Sequence, residues 1–199
     1  MRRILCTAIL ALLCSLACSS IGHAVELKLS REALDRTLHQ QLFSSPDGRY
    51  YLKGDAKSAC SVYADKADLS FVQDRIVVTV KIHATLGKAW GGKCLGITLN
   101  PTAEVSMLPD AEGETIGFRD ARVEKISDSK ELNFLLTPFL RRQIPSSMKV
   151  NAADILRQSL AGSLKTTGYA ISLDRLKIHS MLIEGSALIV DLDADLSVK

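Results

Sequence analysis

The chain has 199 residues, 24% of them charged, with 25 Lys+Arg against 22 Asp+Glu and a formal net charge of +3. So small an excess, gathered into no basic stripe, excludes the usual footprint of a nucleic-acid binder. The length suits one domain with a sizeable core, and no Gly/Ser/Pro linker, low-complexity run or tandem repeat divides it.

Arg2 and Arg3 precede an apolar run from Ile4 to Ala17, and Gly22-His23-Ala24 supplies the small residues of a cleavage site. Length and flanks fit a secretory signal better than a spanning helix, which needs about 20 apolar residues. Residues 1–24 are therefore read as a signal peptide and 25–199 as a single exported, periplasmic domain. Losing Arg2 and Arg3 with the leader takes the net charge to +1. A second address competes. Ser15-Leu16-Ala17-Cys18 resembles a lipobox, whose acylated Cys18 would anchor the domain to a membrane surface. Ser15, however, stands where such boxes carry an aliphatic residue.

Cys60 and Cys94 remain after the leader. In an oxidising compartment two cysteines most simply pair with each other. The alternatives are two free thiols or a metal pair, and neither cysteine has a second Cys or a His at metal-ligand spacing.

Val25, Leu27 and Leu29 alternate and predict a strand. Ser30 is placed to cap a helix through Leu42, with Leu34, Leu38 and Leu42 as its buried stripe. Ser44-Ser45-Pro46-Asp47-Gly48 reads as a turn. Cys60, Val62 and Ala64 alternate, then Ala67, Leu69 and Phe71, so a bulge is expected near Asp65-Lys66. Gln73-Asp74 is a tight turn. Arg75 to Leu86 is the clearest strand, with Ile76, Val78, Val80, Ile82, Ala84 and Leu86 on one face. Gly87 to Lys93 reads as a loop holding Trp90. Cys94–Leu108 and Thr115–Ser127 read as a strand pair around a turn at Pro109–Gly113.

The period then changes. Leu132, Leu135, Leu136, Phe139 and Leu140 predict a helix that Pro138 kinks or restarts. Asn151 caps a further helix, with Asp154 in its first turn and Ile155, Leu156, Leu160 and Leu164 as its stripe. Ser159, Gly162 and Ser163 leave a slim side against which something can pack closely. Two strands close the chain. Ile171 and Leu173 are out of phase with Leu176, Ile178 and Leu182, so a bulge is expected near Asp174-Arg175. After a turn at Glu184-Gly185-Ser186, Leu188, Val190, Leu192, Leu196 and Val198 share one face. Long one-faced strands with few helices must wrap around those helices.

This order of elements resembles the bacterial YceB-like lipoproteins, which belong with the tubular lipid-binding (TULIP, BPI-like) folds. The likeness rests on the early strand and helix from Leu27 to Leu42, the meander, Leu135-Leu136-Thr137-Pro138-Phe139-Leu140, and the hairpin Ile171 to Val198. It implies an α+β fold, a long curved antiparallel sheet wrapped around one or two amphipathic helices. It further implies a non-enzymatic protein holding a lipid or hydrophobic small molecule between sheet and helices. Ile76, Val78, Val80 and Ile82 would line one wall of that site. Leu135, Leu136, Phe139, Ile155, Leu156 and Leu160 would line the other. A binding or assembly factor for another envelope protein, without a pocket, is the first rival, and an exported hydrolase the second. The Cys60/Cys94 pair and the imperfect lipobox depart from the family's pattern.

The remaining candidates have plainer readings. Asp191-x-Asp193-x-Asp195 opens like a calcium loop but has Leu196 where such a loop needs Gly, so it reads as the solvated face of an edge strand. His39, His83 and His179 belong to no HExxH unit, and no Gly-x-Ser-x-Gly elbow is present. Catalytic residues, a metal site and a cofactor are not expected. Trp90 in its Gly-rich setting either reaches a membrane interface, covers a pocket mouth or folds back on the core.

Overall fold

The computed structural model describes residues 24–199; the leader and the lipobox at Cys18 lie outside them. Strand β1 (Ala24–Ser30) runs straight into helix α1 (Arg31–Leu42). Ser30 makes the junction, its hydroxyl accepting from the Ala33 N–H at 3.2 Å. Leu34, Leu38 and Leu42 are buried as their spacing predicts.

A meander follows, with β2 (Tyr50–Lys53), β3 (Val62–Val72), β4 (Arg75–Trp90), β5 (Lys93–Leu99), β6 (Thr102–Glu112) and β7 (Thr115–Lys125). Helix α2 (Lys130–Pro138) passes into a π-helical turn (Phe139–Gln143) and the short α3 (Ile144–Ser147). Then come β8 (Val150–Asn151), α4 (Ala152–Leu160), α5 (Ser163–Thr167), β9 (Ile171–Glu184) and β10 (Ala187–Val198). One antiparallel sheet has the order β2-β3-β4-β6-β7-β8, with β5 also paired to β4; the other has the order β1-β10-β9.

The architecture is α+β, long antiparallel strands curled against amphipathic helices, as expected. The curl has local causes. Register shifts break the ladder between Ala64 and Lys66, twice in the β6–β7 pair and twice in β9–β10. Each extra residue bends its strand and raises its twist. The inner faces of both sheets, α1 and the Leu132–Met148 region share one core. There α1 lies on β3 and α3, while the π-turn lies on β7.

Pro138 explains the π-turn. It has no N–H to give the Phe134 carbonyl, so the ladder loosens there and the Ile144 N–H donates to the Phe139 carbonyl five residues back. The kink thus becomes a widened turn that keeps Phe139, Leu140 and Ile144 buried together.

Several expectations are corrected. Gly87 to Lys93 is not a loop. Strand β4 continues to Trp90, turns on Gly91 and Gly92, and returns as β5. Both glycines are left-handed (φ 54° and 76°), as a two-residue type I′ turn requires. The strand expected from Cys94 to Leu108 is divided at Asn100-Pro101, yet both halves stay beside β4, and the Ile82 N–H donates to the Pro101 carbonyl at 3.0 Å. Pro109 lies within β6, not in a turn. Pairing of β6 with β4 ends at Met107, so Pro109 sits where that side of β6 has no ladder to break.

The helix begun at Asn151 is capped as expected, the Asn151 Oδ1 accepting from the Asp154 N–H at 2.9 Å. It stops at Leu160, and Leu164 is exposed on α5. Ala152 and Ala153 are its buried residues. Nothing packs against Gly162; a Cβ built there would meet open space.

The bulge expected near Asp174 is present, and a second follows at His179, where Ile178 and Ser180 flank the extra residue. This second bulge restores the original parity. Met181 and Ile183 therefore pack on the core while Leu182 is exposed. Leu196 and Val198 are exposed as well, beyond the end of β1. Strand β10 is central between β1 and β9 rather than an edge strand.

Candidate functional site

An apolar concavity lies where the edge strand β2 meets α2. It has a volume of about 680 Å³ and is lined by Leu52, Lys130, Asn133, Phe134, Leu135, Thr137 and Pro138. Two elements position it. Strand β2 is paired only with β3, so its other side faces the helix. Helix α2 is pinned by Ser129, whose hydroxyl accepts from the Leu132 N–H at 3.3 Å. Glu131 in the first turn is held below the usual carboxylate value by its own backbone N–H and by the Ser129 hydroxyl. Leu132 and Leu136 then point into the core, and Phe139 stacks on Tyr50 with ring centroids 5.0 Å apart.

That orientation turns Phe134 outward, 81% exposed, with Leu135 half-buried beside it. An outward phenyl ring leaves a large apolar area in water that a ligand would cover. Asn133 also lines the concavity, but its Oδ1 is buried away from it without a hydrogen-bond partner. A second hollow of about 450 Å³ shares Thr137 and Pro138 and is lined otherwise by Ala121, Arg141 and Arg142. The Arg141 Nε donates to the Ala121 carbonyl at 3.4 Å, leaving the rest of the guanidinium at the hollow. The two hollows meet at Thr137 and Pro138, so the trough, with Lys130 in its own lining, has Arg141 and Arg142 beside it.

The residues expected to line a ligand site are distributed unevenly. Leu135 lines the trough. Leu136 and Phe139 lie beneath it in the core, 0% and 5% exposed. Ile76, Val78 and Val80 have no accessible surface and Ile82 has 1%, so neighbouring side chains close around them. Ile155, Leu156 and Leu160 are half-buried on α4, which packs against β9 and β7. Leu52, Phe134 and the two arginines were missed. Phe134 lies off the apolar stripe of α2, and an aromatic on the polar side of a helix was the available signal. Leu52 reaches the trough only through the β2–β3 pairing.

Cys60 and Cys94 form a disulfide with Cα atoms 5.0 Å apart. Trp90 does not fold back; it is 71% exposed. Each of the described histidines stands by an aspartate: His39 by Asp35 at 3.9 Å, His83 by Asp65 at 3.0 Å, and His179 by Asp193 at 2.5 Å. Their other hydrogen bonds go to the Ala67 carbonyl and the Asn100 amide, not to a hydroxyl or thiol. Among the described residues no three His, Cys, Asp or Glu gather as metal ligands. Nor is any helix long and apolar enough to cross a membrane.

No protein-family model matches the chain, and no curated protein matches it. The YceB-like resemblance therefore has no sequence match behind it. One similar solved structure is a crystal structure of lipopolysaccharide binding protein, at 12% identity and a TM-score of 0.33. The match covers 88% of this chain and 51% of that one, so the chain spans about half its length. At that score neither ligand nor mechanism is carried over.

Proposed function

We propose that this protein is an exported, non-enzymatic binder of a lipid or similar amphiphile. The observation that carries the reading is the apolar trough at Leu52, Phe134, Leu135 and Pro138, with Arg141 and Arg142 beside it. Its volume falls in the range of about 300–1,000 Å³ typical of small-ligand sites. An acyl chain laid on Phe134 and Leu135 would remove their surface from water, worth roughly 25 cal/mol per Å² covered. An anionic head would meet guanidinium groups suited to bidentate contact. Leu136 and Phe139, with Ile76, Val78, Val80 and Ile82 behind them, would form the floor, and Ile155, Leu156 and Leu160 would hold the far side of the domain.

Export fits the disulfide, which persists in oxidising compartments. Cleavage after Ala24 would leave β1 intact from Val25, and the intact mass of the exported protein should begin there. A diacylglyceryl adduct on Cys18 would replace this with a membrane-anchored form.

The ligand is tested by purifying the protein without detergent and extracting it with organic solvent. Lipid should be recovered from the wild type and lost from Phe134→Asp and Leu135→Asp. These positions are exposed or half-buried, so circular dichroism should show both variants folded. Arg141→Gln with Arg142→Gln should weaken an anionic amphiphile and leave a neutral one of equal chain length unaffected. Lipid-free protein that also takes up no added fatty acid would favour the assembly-factor reading. The exposed Phe134 would then be the surface that a partner covers.

A further inference from the structure

Beyond Ala84, β4 loses its pairing with β3 and β6 and continues with β5 alone. A two-stranded ribbon therefore extends from the domain to the turn at Gly91-Gly92. Six residues beyond Ala84 it reaches Trp90, and it curls on the way, since the Cys94 Sγ near its tip lies 3.8 Å from the Thr85 carbonyl oxygen at its base. Isolated two-stranded ribbons are marginal in water. This one is braced at its base, where the Thr85 N–H donates to the Ser61 carbonyl at 2.8 Å, and next to its tip, where Cys94, the partner of Ala89, is bridged to Cys60.

Its two faces differ. Cross-strand partners share a face, and the register pairs Leu86 with Ile97, Lys88 with Leu95, and Trp90 with Lys93. All six side chains thus lie on the face that continues the buried side of β4. Leu86 still packs on the core, but the rest of that face is uncovered: Trp90 is 71%, Leu95 60% and Ile97 56% exposed. The opposite face carries Gly87, Ala89 and Gly96 around Cys94. The charge is one-signed. From Arg75 to Ala103 the chain holds Arg75, Lys81, Lys88 and Lys93 and no Asp or Glu. In the loop leading to Cys60, Asp55 is outnumbered by Lys53 and Lys57.

We propose that this ribbon is a membrane-docking wedge for an anionic lipid surface. Trp90, Leu95 and Ile97 enter the interface, where an indole ring has its preferred depth. Lys88 and Lys93 lie among them on the same face, their stems along the apolar surface and their ammonium groups at the phosphates. A protein partner would need its own carboxylates and a groove for the tip. An anionic bilayer supplies the apolar layer and the charge together.

Trp90 is the chain's one tryptophan, so its fluorescence reports the ribbon alone. The oxidised protein would be titrated with vesicles of phosphatidylcholine, with or without phosphatidylglycerol. The emission should shift to the blue on anionic vesicles and hardly move on neutral ones, and brominated acyl chains should quench it. Each of Lys88→Gln and Lys93→Gln should weaken binding about fivefold, and the pair about 30-fold, since a lysine near an anionic surface contributes on the order of 1 kcal/mol. Leu95→Ser with Ile97→Ser should abolish the shift, with lipid in the trough assayed separately by extraction. Emission unchanged on anionic vesicles, or equal shifts on both kinds, would overturn the proposal. So would a blue shift that follows protein concentration without lipid, which would mark the ribbon as a contact between copies of the chain.

Discussion

Gly87 and Gly96 face each other across β4 and β5 so closely that neither can carry a side chain. A Cβ on Gly87 would lie 2.1 Å from the Leu95 carbonyl oxygen, and one on Gly96 would lie 1.9 Å from that of Leu86. The obstacle on each side is backbone, which cannot swing away as a side chain can. Gly87→Ala should therefore force the two strands apart at a cost of about 1–3 kcal/mol, in the range of overpacked sites. The ribbon lies outside the core, so the loss should be local. Hydrogen exchange should speed up for amides between Lys88 and Ile97 and stay unchanged for those of Val78 and Val105. Unchanged ribbon protection would mean that the close approach does not hold the pair in register.

The Cys60–Cys94 bridge joins residues 34 apart. By the chain-entropy estimate a loop of that size stabilises by roughly 3–4 kcal/mol. Replacing both cysteines with Ser should lower the stability by about that amount in denaturant titration. The intact mass of the unreduced wild type should be two hydrogens below that of the dithiol. Two freely alkylated thiols without reductant would contradict the bridge.

Asp120 sits at a bulge in β7 with a left-handed backbone, φ 51°. Its carboxylate accepts from Arg122 at 2.6 Å and from Arg75 at 3.1 Å, while its carbonyl accepts a second bond from Arg75 at 2.6 Å. Arg122 first and Arg75 second hold its carboxyl below the ordinary 3.8. A depressed carboxylate contributes stability that is present above the unfolded value and is lost as pH falls through the folded one. Asp120→Asn removes the charge, and Asn tolerates a left-handed backbone. The variant should be less stable than the wild type near neutral pH, and the gap should narrow only once the pH falls below the ordinary carboxylate value of 3.8 and through the lower folded one. A gap that stays constant with pH would show that the carboxylate is not what holds the bulge.

Much of the fold was legible because it follows from local rules. The Ser30 cap, the Leu34-Leu38-Leu42 stripe and the Ile76 to Ala84 face all appear where spacing placed them, since side-chain period and capping geometry are properties of neighbouring residues. The bulges at Asp65 and Asp174 were also readable, because each leaves a phase break in the apolar pattern. The bulge at His179 was not, since Ile178, Leu182 and Leu188 look continuous until two phase shifts are counted. Glycines deceived in one place. Gly87, Gly91 and Gly92 read as a loop, yet Gly91 and Gly92 make the turn and Gly87 pairs with Gly96 at close range.

By itself the sequence determined the leader motif, the two cysteines left after it, the order of elements and which face of each strand and helix is apolar. These depend on residue type and on contacts within a few positions. Only the tertiary structure decided what each face meets. It closed the β4 residues into a packed core, turned Phe134 outward beside Leu52, and set Arg141 and Arg142 beside that trough. It also left Trp90, Leu95 and Ile97 uncovered where the neighbours of β4 end. The physical reason is that burial belongs to pairs of distant surfaces, and a periodic pattern names the face but not its partner.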